Sequence, residues 1–343
     1  MNAMSDLTVR RWLLVSAAAV VLAVAIGGIT RLPESGLSIT EWRPVSGILP
    51  PSSSIEWNQA YQGYLEIPEA QTVHRGITLG QFQALYWWEW VHRLLARLVG
   101  LILAVPYFLL LARGDIRRHH RGRLLLLPVL ALAQGALGWY MVKSGLAVRQ
   151  SVSPYRLTAH LAMALVIFVV CVWTAMDLRP RDADAGITPR RLRRWVIAAL
   201  CLSILTMLSG GFVAGLDAGR VYNTFPLMGG QVVPPGYLLP GIGWRSAFEN
   251  PAAAQFNHRV LALTTATLLL ILAAFCRRMP APAALRRATT VGGVVVLVQV
   301  GLGITTLLMK VPVTLGVLHQ VTALAVLTAM LVAAHGSRVM ELG

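Results

Sequence analysis

The chain is poor in charge, in cysteine and in acidic residues, and each shortage removes a class of protein. Only 13% of its 343 residues are charged, about half the share of a soluble domain, which leaves too little polar surface to cover a water-soluble fold. Three cysteines are present, Cys171, Cys201 and Cys276, all in or beside apolar runs and none in a Cys-x-x-Cys spacing. That excludes a disulfide framework, a zinc-thiolate site and an iron–sulfur cluster, and leaves apolar packing as the reading of each. Acidic residues number 14 against 30 basic ones. The basic residues fall in short loops between apolar runs, with no basic stripe and no interleaved aromatics, so the excess speaks for membrane topology and against nucleic acid. No A-x-A-like cleavage site follows the first apolar run, and no Arg/Ser-rich presequence precedes it. That run therefore reads as a retained helix in a bacterial rather than organellar protein.

Long apolar runs are what the sequence has in abundance. Eight spans are predicted, at 12–30, 88–112, 123–142, 156–177, 194–215, 254–275, 288–309 and 314–335, each near the ~20 residues that cross about 30 Å of hydrocarbon. The termini and the loops on their side hold twice the lysine and arginine of the other loops. The positive-inside rule then puts both termini in the cytoplasm. Two outer loops are long, 31–83 and 216–253, and rich in Gly, Pro, Trp and Tyr, a composition that predicts ordered loops packed on the outer face of the bundle. Trp42, Trp57, Trp87, Trp88, Trp90 and Trp244 suit an interfacial belt.

The two halves echo each other. Gly27-Gly28 matches Gly210-Gly211, "EWVHR" (89–93) matches "QFNHR" (255–259), "QGALG" (134–138) matches "QVGLG" (299–303), and His160 matches His319. The offsets shrink steadily from 183 to 159, as expected of a repeat whose first copy has longer outer loops. The expected architecture is an all-α membrane protein of two tandem four-helix bundles, 1–183 and 184–343, joined by a cytoplasmic linker near 178–193.

Four of the eight histidines stand out. His74, His119, His120 and His335 lie in loops or at a helix end and read as ordinary polar residues. His92, His160, His258 and His319 each lie near the start of an even-numbered span, all at the outer leaflet, and within each half the two spans are parallel. Polar groups at membrane depth default to function, and two imidazoles level with each other across a four-helix bundle are a common way to hold a haem iron from both sides. Zinc fits worse, for want of a four-ligand cluster; copper is compatible on ligand type alone. Gly135, Gly138, Gly301 and Gly303 offer close helix packing, room for a porphyrin face, or both. Arg93 and Arg259 directly follow a histidine and are candidates to pair with haem propionates or to reach lipid headgroups.

One asymmetry breaks the repeat. Glu89 stands three residues before His92, whereas Gln255 stands three before His258. A carboxylate there can move protons or stabilise positive charge on a reacting carbon, or pair with Arg93 or Arg97. The difference suggests a reacting site in the first half and an electron-transfer or structural haem in the second.

The stretches "GGITRLPESGLSITEWRPVSGILPP" (27–51), "WWEWVHR" (87–93), "QGALGWYMVKSGL" (134–146), "YRLTAHL" (155–161), "GGFVAGLDAGRVYNTFPLMGG" (210–230), "QFNHR" (255–259) and "LGVLHQ" (315–320) resemble the haem A synthase family (Cox15/CtaA) over nearly the whole chain. The absence of an outer-loop cysteine pair resembles its Cox15-type branch. The resemblance implies oxidation of the C8 methyl of haem o to a formyl group by two hydroxylations and loss of water from a geminal diol. It implies that His92 and His160 flank the substrate haem, that Glu89 is the catalytic carboxylate, and that His258 and His319 are the axial iron ligands of a haem b cofactor. Expected partners are haem o, the lipid bilayer, an electron-transfer partner, the haem O synthase (protohaem farnesyltransferase) that would supply the substrate, and another copy of the chain in a homo-oligomer. The expected location is the bacterial inner membrane, with the haem sites toward the periplasm. Rival readings are a transmembrane b-type cytochrome and a non-catalytic haem carrier. The first sits badly with four histidines on one side, and the second weakly with Glu89 opposite Gln255.

Overall fold

The computed structural model describes residues 3–32, 35–41, 46–147, 152–179 and 188–338. Residues 180–187 of the 178–193 linker and Trp42 therefore lie outside the described residues. Eight long helices carry the predicted apolar runs: α1 (Ala3–Arg31), α4 (Leu79–Ala112), α5 (Arg118–Ala147), α6 (Pro154–Asp177), α7 (Arg190–Gly215), α9 (Pro251–Arg278), α10 (Ala283–Leu308) and α11 (Val313–Gly336). All eight are long and apolar enough to cross a membrane, and no strand occurs among the described residues. Three short helices lie in the long loops: α2 (Ser54–Leu65), α3 (Pro68–Thr72) and α8 (Ser246–Glu249). The chain is a multi-pass membrane protein.

Local chemistry sets the helix starts. A capping box of Thr78 with Gln81 opens α4, and one of Ser53 with Glu56 opens α2, each satisfying backbone N–H groups that the first helical turn leaves unpaired. Proline occupies the first turn of α6 and α9, where its missing N–H is no loss. Because of its cap, α4 runs about two turns above the predicted start at 88 and meets the outer loop. There Tyr64, Phe82, Tyr86, Ile67 and Leu37 make a separate apolar cluster that holds α2 and α3 over the bundle. Trp57 belongs to this cap, with Tyr86 at 5.0 Å between ring centroids. In the same cap the Tyr64 hydroxyl lies 2.6 Å from His74 Nδ1, and burial lowers the His74 pKa below the usual imidazole value.

Helices α1, α4, α5 and α6 pack around one apolar core, and α7, α9, α10 and α11 around another. Leu324, Leu327 and Leu331 of α11 enter the first core, so the two groups are fused. Apolar side chains such as Leu132 and Ile271 are 78% and 59% exposed because their solvent is lipid, which costs such groups nothing.

Small residues let the groups approach. A Cβ on Gly211 would lie 2.9 Å from Thr158 Oγ1, and one on Gly215 only 2.6 Å from the Pro154 Cα. The equivalent face of α1 meets α11 in the same manner, Gly28 against Gln320 and Leu32 against Gly316. At the end that carries the long loops Arg31 donates to Asp217 at 3.0 Å and to the Ala214 carbonyl at 2.8 Å. At the other end Asp177 of α6 accepts from Arg123 of α5 and from His335 and Arg338 at the end of α11, at 2.5, 3.0 and 2.7 Å.

Gly215→Ala is expected to destabilise the protein by about 1–3 kcal/mol, because its new methyl meets backbone rather than a movable side chain. A thermal melt in detergent that matches the unaltered protein would show that the α6–α7 contact yields freely.

Candidate functional site

Each of the four histidines lies on a glycine of a neighbouring helix. An added Cβ would stand 3.0 Å from His92 Cε1 at Gly27, 3.1 Å from His160 Cε1 at Gly138, 3.2 Å from His258 Cε1 at Gly210, and 2.9 Å from His319 Cε1 at Gly303. The seats come from α1, α5, α7 and α10, and the rings from α4, α6, α9 and α11. Only a residue without a side chain lets an imidazole lie so close to a helix backbone. Gly135 and Gly301 seat nothing within 4 Å.

The second pair can be measured directly. The His258 and His319 rings face each other with centroids 6.4 Å apart and planes at 79°. Two imidazoles bound at about 2 Å to opposite sides of one metal ion place their centroids roughly 6.3 Å apart. The spacing therefore suits a haem iron between them. In the first pair, His92 lies within electrostatic reach of His160. Gln134 Nε2 is 3.3 Å from His160 Nε2, and Gln299 Nε2 is 3.3 Å from His319 Nε2. No cluster of three or more His, Cys, Asp or Glu residues that could hold a bare metal ion occurs among the described residues, which leaves paired imidazole as the donor set.

Long-loop backbone closes over each pair in matching ways. Arg93 donates to the carbonyls of Ile39 and Glu41 at 2.7 and 3.1 Å. Arg259 donates to those of Tyr222 and Thr224 at 2.9 Å each. Residues 39 and 222, and 41 and 224, are separated by the same 183 positions as Gly27 and Gly210. Both arginines thus clamp a loop to the helix that carries the histidine. Each directly follows its histidine in the chain.

Glu89 and Gln255 use the same places differently. Glu89 is 3% exposed and is surrounded by donors. Its Oε2 accepts from the Ser38 hydroxyl at 2.7 Å and the Ile39 N–H at 2.8 Å, and its Oε1 accepts from Arg93 Nε and Nη2 at 3.0 and 2.6 Å. Gln255, 2% exposed, instead donates to the Tyr222 carbonyl at 3.1 Å. One loop turns an N–H toward the bundle and the other a C=O, so acid and amide each match their own loop.

Sequence reasoning singled out the histidines, Glu89 and the arginines. It did not single out Ser38, nor Ser209, whose hydroxyl lies 2.8 Å from His258 Nδ1. It used Gly27 and Gly210 only as repeat markers. Serine and glycine are common in membrane helices for packing reasons, so their type alone carried no signal.

An eight-helix membrane protein with two pairs of glycine-seated histidines near one end, one pair spaced for a bis-imidazole iron, defines a membrane haem-binding class. The family profile of the COX15–CtaA cytochrome oxidase assembly proteins matches residues 10–331. The chain is 46% identical over 322 residues to the heme A synthase of Sinorhizobium medicae (strain WSM419), covering 93% of this chain and 87% of that one. It is 45% identical, with the same coverage, to the heme A synthase of Rhizobium meliloti (strain 1021). It is 41% identical over 331 residues to that of Nitrosospira multiformis, covering 95% and 92%. The chain belongs to the COX15–CtaA family.

Proposed function

We propose that the protein is a haem A synthase that oxidises the C8 methyl group of haem o to a formyl group, with the substrate between His92 and His160 and a resident haem b between His258 and His319. The observation that carries the reading is the one-sided carboxylate: two equivalent histidine seats, only one of which has a charged acid beside it. The bilayer site suits haem o, whose farnesyl tail is lipid-soluble. In this reading the halves 1–183 and 184–343 are tandem copies that have divided the labour.

Conversion of methyl to formyl removes four electrons. In the route that Glu89 suits, each half-reaction adds water to the methyl carbon as two electrons and two protons leave. The first gives a hydroxymethyl group, the second a geminal diol, and loss of one water leaves the aldehyde. Electrons pass to a partner outside the chain. Haem b, held by His258 and His319, supplies a one-electron redox centre. Glu89 places a fixed negative charge beside a carbon that becomes electron-poor, the kind of preorganised charge that lowers such barriers. A carboxylate has about four lone-pair sites, and those of Glu89 receive four donors. Filled lone pairs leave little room for proton carriage, so the role left to Glu89 is that of a fixed carboxylate whose charge the Arg93 ion pair partly offsets. Arg93 and the 35–41 loop hold that charge in place and exclude water from it. With both termini in the cytoplasm, the sites face the periplasm of an inner membrane.

Pigment extraction from the purified protein tests the reading. Haem b together with haem o or haem a is expected; haem b alone favours the cytochrome. His258→Ala is expected to remove most of the haem b spectrum while haem o still binds. Full haem b in that variant would mean that the halves are assigned the wrong way round.

A further inference from the structure

Only one of the four glycine-seated histidines has a hydrogen-bonded Nδ1 among the described residues. His258 Nδ1 lies 2.8 Å from Ser209 Oγ, whereas Nδ1 of His92, His160 and His319 is buried without a hydrogen-bond partner. Ser209 has one proton, with the Thr206 carbonyl at 2.7 Å and the His258 ring at 2.8 Å both in reach. Turned to the carbonyl, the hydroxyl accepts from His258, whose proton then sits on Nδ1 and leaves the Nε2 lone pair as the metal-binding one. The serine thus selects the tautomer, fixes the ring's rotation over Gly210, and raises the donor strength of Nε2 through the polarised N–H.

The contrast with the other half is positional. Ser209 precedes the seat Gly210 by one residue. The residue that precedes the seat Gly27 is Ile26, which has no hydroxyl to offer, and His92 Nδ1 stays unpaired. Both seats have similar clearance, 3.0 and 3.2 Å, so the difference between His92 and His258 is chemical rather than steric. A resident cofactor needs a ligand that does not let go, whereas a substrate that must enter and leave needs one that does.

We propose that Ser209 is a positioning residue that makes His258 the anchoring ligand of the resident haem, and that Ile26, by offering His92 no such bond at the matching place, leaves the substrate site without an equivalent anchor, so that substrate haem can enter and product leave. The proposal rests on the assignment of haem b to the second half and of the substrate to the first.

The test uses the purified full-length protein in detergent. In Ser209→Ala, haem b is expected to be present at near-normal content. It should pass to a haem-scavenging apoglobin about 10-fold faster, the lower end of what loss of a metal ligand's outer hydrogen bond costs. Its midpoint potential should rise, since a weaker donor stabilises the ferric state less, and its low-spin electron paramagnetic resonance signal should shift. Ser209→Thr keeps the hydroxyl and should restore all three. Ile26→Ser is the reciprocal arm: it should slow the escape of haem o from the first site and leave the haem b potential unchanged. Should Ser209→Ala fail to fold, the Ile26→Ser arm decides alone. A Ser209→Ala protein with unaltered transfer rate, potential and resonance signal overturns the proposal, as does an Ile26→Ser protein that releases haem o at the normal rate. Failure of the underlying assignment looks different: His258→Ala would then deplete haem o rather than haem b.

Discussion

Glu89→Gln is expected to abolish haem a formation while both haem sites still fill. The change removes one charge and keeps the shape, so its steric cost is small. Its chemical cost is large for two reasons. The negative charge beside the substrate disappears, and loss of one such preorganised group lowers turnover by about 10²–10³-fold. The surroundings also adapt poorly. The Ile39 N–H and the Arg93 guanidinium can only donate to position 89, so an amide NH2 meets a donor on either side even when the Ser38 hydroxyl turns to accept. Gln255 escapes that conflict only because its loop presents the Tyr222 carbonyl. The haem a to haem o ratio in membrane extracts is the measurement. An unchanged ratio would sink the role of Glu89; a lost ratio with haem o also absent would assign the residue to loop closure instead. Arg93→Lys separates the two further, because it keeps the cation but loses the forked contact with the carboxylate and the Ile39 carbonyl.

The parts of this protein that could be read in advance are those where composition leaves one option. Eight long apolar runs in a chain with few charges read as membrane helices, and a histidine inside such a run is conspicuous. The spacing of His258 and His319 follows from parallel helices entering at the same depth. The cap could not be read as fully. The stretch 79–87 mixes polar and apolar residues, so its helix was invisible to a hydrophobicity count, although Thr78 and Gln81 carry a capping signature. The Ser53 and Glu56 pair marks α2 in the same way. What lay beyond the sequence was partnership across helices. Ser38, Ser209, Gly27 and Gly210 are ordinary residues whose meaning depends on which ring or carboxylate the fold brings close, whereas Gly138 and Gly303 were legible as candidates but not as seats. The arginines illustrate the same limit: their engagement of loop carbonyls at equivalent places in both halves is not announced by residue type.

The glycine seats support a graded prediction with the largest effect at Gly303. Alanine there places a methyl carbon 2.9 Å from His319 Cε1, closer than carbon atoms pack, so the ring must move. The helix itself gains from the change, since alanine is favoured over glycine by about 1 kcal/mol in a helix interior. The loss therefore falls on the ligand and not on the fold. Metal–nitrogen bonds tolerate about 0.2 Å of displacement, less than the shift this contact demands. Resident haem content is expected to fall about 10-fold or more, with helix content and melting behaviour of the haem-free protein preserved. Gly27→Ala, Gly138→Ala and Gly210→Ala, at 3.0, 3.1 and 3.2 Å, should have smaller effects of the same kind, with the first two acting on substrate haem and the third on haem b. Gly301→Ala, two residues from Gly303 and with nothing within 4 Å, is the control and should bind haem normally. If Gly301→Ala and Gly303→Ala lose haem equally, the helix tolerates no change there and the seats have no special role. If neither loses it, the rings have room to retreat, and the 6.4 Å separation of His258 and His319 is not held by their glycines.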